Sequence, residues 1–202
     1  VAMVLLGSPP AAMSQEAGTA EAGPAVDAVW MEREILVTYM AFTSFYSCRG
    51  LGDKVAWVLE ELGARPGFKV TTRGCVEVTG PEVMPAVRFV AALQVQETSG
   101  VLAELASGTA KRELAARATG QAPAEAEATD RFRAMPRRVV FTSRPDGPLE
   151  DGDCELIEQL RDQVMVPRGA KIIENGVRCV PRQVSLGAVR LTVEVLQPVA
   201  AQ

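Results

Sequence analysis

Histidine is absent from the 202-residue chain. Its absence removes the commonest general base, the commonest zinc ligand, and every Ser-His-Asp or Cys-His arrangement. No Cys-x-x-Cys pair is present either, so the sequence offers neither a zinc knuckle nor a thioredoxin-like redox centre. Apolar runs fall well short of the roughly 18 to 20 residues that a membrane-spanning helix needs, which argues against integral membrane insertion. A basic excess is also missing. Lys and Arg number 21 against 25 Asp and Glu, a net charge of −4, so there is no global field to hold a phosphate backbone and no nucleic-acid partner is expected. Aromatic residues make up only 5% of the chain, and the two tryptophans and two tyrosines (Trp30, Trp57, Tyr39 and Tyr46) read as packing rather than as a stacking platform.

What is present is a 48% hydrophobic, 23% charged composition, ordinary for a globular protein with a core. Cysteine is used sparingly and evenly, at Cys48, Cys75, Cys154 and Cys179. Four cysteines without metal spacing suit disulfides in an oxidising compartment. Val1 to Ala12 is an apolar run followed by prolines and alanines, with Ala12-Met13-Ser14 as a small-x-small cleavage site, so residues 1–14 read as a signal-peptide remnant. The expected location is therefore periplasmic or secreted. Residues 15–29, rich in Ala, Gly and Glu, read as a flexible leader.

The strongest pattern is internal. FTSFYSC, DKVAWVLEELGA, GFKVTTRGCV and AVRFVAAL follow one another in the first part of the chain. VVFTS, DCELIEQLRDQV, AKIIENGVRCV and AVRLTVEVL follow in the same order in the second. The paired cysteines lie 27 and 25 residues apart, and the alternating strands Val87, Phe89, Ala91 and Leu191, Val193, Val195 fall 12, 14 and 16 residues past the second cysteine of each part. Leu51, Val55, Val58 and Leu62 make a one-sided helical stripe ended by Gly63; Ile157, Leu160 and Val164 make another, ended by Pro167 and Gly169. The expected fold is thus α+β: a tandem pseudo-repeat of strand-helix-strand-strand units over 30–94 and 137–198, each with one internal disulfide. Residues 95–136 join them as a helical and disordered linker. That element order is similar in outline to small envelope modules of the PASTA and POTRA types, a likeness of order that transfers no activity. Each first cysteine opens a helix and each second ends the returning strand, which favours Cys48 with Cys75 and Cys154 with Cys179. Closing a loop of about 25 residues contributes roughly 3.5 kcal/mol in the chain-entropy account.

No catalytic, cofactor-binding or metal-ligating residues emerge, and no cofactor is expected. Cys48-Arg49-Gly50-Leu51-Gly52-Asp53-Lys54 places glycines ahead of a helix, where free amides suit an anion. It is neither a Walker loop nor a cysteine-phosphatase signature, and it reads as a turn feeding the helix. Asp151, Asp153, Glu155 and Glu158 suggest calcium superficially, but Leu156 stands where an EF-hand needs glycine. Asp153 reads instead as a helix cap. Arg131, Arg133, Arg137 and Arg138 around Phe132 read as a solvated linker face. The sequence therefore leads to a non-catalytic, disulfide-stabilised secreted or envelope protein acting through protein contacts. The alternatives are a small-molecule or carbohydrate binder with its site between the two repeats, and an enzyme of unrecognised class.

Overall fold

In the computed structural model, residues 23–40, 42–75, 85–120, 131–144, 146–180 and 189–199 are described. The expected signal remnant, most of the leader and the TGQAPAEAEATD stretch lie outside them, except for its first two residues. The chain forms β1 (Val26–Thr38), α1 (Cys48–Glu61), β2 (Lys69–Arg73), β3 (Ala86–Gln96), α2 (Ser99–Thr119) and β4 (Arg131–Thr142). It continues through α3 (Cys154–Leu160), β5 (Lys171–Asn175) and β6 (Arg190–Pro198). A π turn at Arg161–Met165 and a 3-10 turn at Val166–Arg168 prolong α3.

All six strands join one antiparallel sheet in the order β2-β3-β1-β4-β6-β5. The first three strands in the chain thus lie as β2-β3-β1, and the last three as β5-β6-β4. Only a short ladder joins these triplets: Val26 to Val29 of β1 against Arg131 to Ala134 of β4. Beyond it the two middle strands part. Where β1 loses its neighbour, side-chain amides take over. Gln159 accepts from the Met40 amide at 2.8 Å and donates to its carbonyl at 2.9 Å, and Gln163 does the same for Thr38 at 3.3 and 3.2 Å. These bonds satisfy backbone groups that would otherwise compete for water, and they tie the second triplet's helix to the end of the first triplet's strand.

The helical stripes bury as the sequence predicts. Leu51, Val55, Val58 and Leu62 of the first, and Ile157, Leu160 and Val164 of the second, are all in the core. The alternating strands face them, with Phe89 and Val193 almost wholly enclosed. Trp57 of α1 meets Phe141 of β4 edge to face with ring centroids 5.8 Å apart, so one core spans both triplets. Gly63 ends the first helix at φ +80° and Gly169 ends the second at φ +84°, conformations that side-chain-bearing residues rarely adopt.

Two expected boundaries move. Residues 26–29, read as leader, are strand: Ala28 and Val29 are completely buried. Their burial does not alternate: Asp27 is exposed, while the adjacent Ala28 and Val29 are both enclosed. Likewise β4 begins at Arg131, inside the segment read as linker, and its arginines sit on a strand rather than a loop. The helix expected in that linker is α2, capped by the Thr98 hydroxyl, which accepts from the Val101 amide at 3.2 Å, and by Gly120 at φ +68°. No α2 residue is buried, and its ion pair from Glu104 to Arg33 of β1 anchors it.

Candidate functional site

Both disulfides form as the spacing predicts, Cys48 with Cys75 and Cys154 with Cys179, with Cα–Cα distances of 5.0 and 5.7 Å. Each ties a helix entrance to the strand that returns beside it. They occupy the four cysteines, so no thiol remains for chemistry. Two disulfides point to an oxidising compartment.

The other motifs resolve into structural pairings. Ahead of α1 the Ser47 hydroxyl accepts from the Gly50 amide at 3.1 Å, so the glycine turn spends an amide on its own cap. The four acids of the second half go to different partners. Asp151 accepts from the Ser143 hydroxyl at 2.6 Å, Glu155 accepts from the Phe42 and Thr43 amides at 3.1 and 3.2 Å, and Glu158 lies 3.8 Å from Arg161. Among the described residues there is no cluster of three or more potential metal ligands. Asp153 does not cap α3 with its side chain. It folds back to accept from the Glu150 amide at 2.7 Å, because its carboxylate also serves the first half of the chain. Of the arginines around Phe132, Arg131 pairs with Glu97 at 3.0 Å and Arg133 with Asp27 at 2.9 Å, while Phe132 itself packs on Trp30.

Asp153 is the centre of a buried polar cluster that joins the halves. Tyr46 donates to its Oδ1 at 2.5 Å and Lys54 Nζ lies 2.7 Å from its Oδ2; Lys54 also donates to the Pro148 carbonyl at 3.1 Å. Tyr39, stacked obliquely on Tyr46, donates to the Ser44 carbonyl at 2.8 Å. Burial pushes both phenols well above the ordinary tyrosine value, and the carboxylates of Glu155 beside Tyr39 and Asp153 beside Tyr46 push them further. A neutral phenol donating to a buried carboxylate suits structure better than catalysis: neither hydroxyl deprotonates near neutral pH.

Two hollows among the described residues are large enough to receive a ligand: a more open and more polar one of about 700 Å³ over Arg49, Asp53, Phe68 and Thr72, and a mostly apolar cleft of about 430 Å³ between the two halves. Leu62, Leu93 and Val95 wall it from the first half, and Val164, Met165 and Val195 from the second. Val101 of α2 closes one side. Its volume lies within the usual range for small-molecule sites. The polar side chains of its wall are largely spent: Thr98 caps α2, Gln94 donates to the Gly63 carbonyl, and Lys171 pairs with Glu194 at 3.6 Å. Gln96 is exposed. Arg168 is different, because its Nε is buried without a hydrogen-bond partner among the described residues. Burial lowers its guanidinium pKa, and Arg33 nearby lowers it further, against the opposing pull of Glu104.

Neither Arg168 nor the Tyr46–Lys54–Asp153 cluster emerges from the sequence. Arg168 stands between Pro167 and Gly169, which read only as a helix stop, and Lys54 and Asp153 are 99 residues apart. Compared with known protein families, curated proteins and solved structures, the chain matches none.

Proposed function

We propose that the protein is a non-catalytic binder of a small, largely apolar molecule, held in the cleft between the two halves. The observation that carries this reading is the cleft itself. Two separately stapled triplets of strands wall it, and its mostly apolar space of about 430 Å³ has the size and lining of a small-molecule site. We further read the halves as a duplicated strand-helix-strand-strand unit. The shared strand order, β2-β3-β1 against β5-β6-β4, and the equivalent placement of the two disulfides support that reading. The disulfides also support a periplasmic or secreted location.

Titration calorimetry with the neutral probe octan-1-ol tests the proposal. Saturable one-to-one binding is expected in the full chain, and Val101→Trp, which adds bulk to the α2 side of the cleft, should abolish it without lowering the melting temperature. Absence of binding in the full chain refutes the proposal.

A second reading, action through protein contacts, is favoured by Leu36 and Val140, which are 65% and 55% exposed on the sheet face turned away from the helices. Concentration-dependent association that Leu36→Lys and Val140→Lys both remove supports it; a monomer at all concentrations that captures no partner does not.

A further inference from the structure

We propose that the ligand of the cleft is an amphiphile with a single anionic head, such as a medium-chain carboxylate. Its head lies on Arg168, and its chain lies against Leu93, Val164, Met165 and Val195. This inference rests on the ligand-binding reading above and specifies its chemistry.

The reasoning starts from charge. Five charged side chains stand around or behind the cleft: Arg33, Glu104, Arg168, Lys171 and Glu194. Arg33 is paired with Glu104, and Lys171 with Glu194. Arg168 is the remaining cation, without an ion pair or a side-chain hydrogen bond among the described residues. A guanidinium that has given up water at Nε and gained no partner is a standing cost to the fold, unless an acceptor arrives from outside. The acceptor that matches its planar fork is a carboxylate, bound through two parallel N–H···O bonds. The rest of the wall asks for the opposite chemistry. With Thr98 and Gln94 engaged, Lys171 paired with Glu194, and Gln96 at the exposed rim, the aliphatic side chains of both halves offer a chain mainly apolar contact. An apolar space with one unsatisfied cation in its wall fits a molecule with an apolar body and one negative end. A carbohydrate, which needs several donors and acceptors, fits it poorly.

The test compares octanoate with octan-1-ol, two probes of equal chain length that differ in head group, on the full chain by titration calorimetry. Octanoate should bind at least about tenfold more tightly, the factor expected for a charge-assisted hydrogen bond in a partly desolvated site. Arg168→Gln should remove that advantage, bringing the octanoate affinity down to that of octanol. Arg168→Lys, a point charge without the fork, should keep only part of it. Circular dichroism of both variants checks their folding; should Arg168→Gln fail to fold, the head-group comparison and Arg168→Lys still decide the matter. Equal affinity for the two probes, or an octanoate affinity indifferent to Arg168→Gln while octanol still binds, overturns the anionic-head assignment alone. Failure of both probes to bind overturns the cleft as a ligand site.

Discussion

Replacing Lys54 by methionine should destabilise the protein by about 3 kcal/mol, because it leaves the Asp153 carboxylate charged, buried and without its cation. The magnitude follows from the surroundings. Asp153 is only 2% exposed at its side chain, and Lys54 Nζ approaches it to 2.7 Å. Removing one member of a buried pair costs roughly 3 to 5 kcal/mol. The lower end applies here, since Asp153 keeps the Tyr46 hydroxyl and the Glu150 amide as donors and Lys54 is 17% exposed, so water can reach the gap. For a chain of this size a loss of about 3 kcal/mol lowers the melting temperature by roughly 6 to 12 °C. Denaturant unfolding under non-reducing conditions, with disulfides intact, measures it. Asp153→Asn alone should also destabilise, while the double variant Lys54→Met with Asp153→Asn should recover about 2 kcal/mol relative to the sum of the singles. A cost below about 0.5 kcal/mol for Lys54→Met, or strict additivity in the cycle, would refute the idea that this pair fastens the two halves together.

The chain's two tyrosines are both in this cluster, so phenolate absorbance near 295 nm reports on nothing else. Both phenols titrate above the ordinary tyrosine value of about 10, so their stabilising contribution is complete below pH 10 and is lost as the pH rises beyond it; the absorbance should stay flat past pH 10 and rise only with unfolding, whereas two ordinary titrations near pH 10 would contradict the buried cluster. Replacing Cys154 and Cys179 together by alanine should cost about 2 to 5 kcal/mol, read by denaturant midpoint, and peptide mapping of unreduced protein should recover only the two linkages within the halves. Phe89→Asp and Val193→Asp each place an unpaired charge in the shared core, so either should lower stability by several kcal/mol; a harmless outcome at one of them would mean that its strand does not face the helices. Deletion through Val29 should abolish cooperative unfolding, since it removes the four-residue ladder between β1 and β4, whereas a truncation that melts normally would show that the halves dock without it.

Sequence by itself determined the local layers of this protein. The stripe Leu51-Val55-Val58-Leu62, the alternation through Phe89 and Val193, and the positions of the cysteines at helix entrances and strand ends are one-dimensional signals: they depend on the 3.6 and 2.0 residue periods and on the shortness of the loops that the disulfides close. Charge and composition are one-dimensional too: the net charge of −4 and the absence of histidine are read without any fold. The tertiary structure decided whatever depends on contacts far apart in the chain. Val26 to Val29 carries no strand period, with exposed Asp27 followed by two enclosed residues, so its place at the centre of the sheet emerges only from its pairing with Arg131 to Ala134. Two of the four arginines of the basic patch, Arg131 and Arg133, became paired strand residues once Glu97 and Asp27 came alongside, and Asp153 left its expected cap once Tyr46 and Lys54 arrived from the other half. The cleft and its unpartnered Arg168 belong wholly to this level. A cavity is what remains where two sets of packed side chains fail to meet, and no property of either set alone records it.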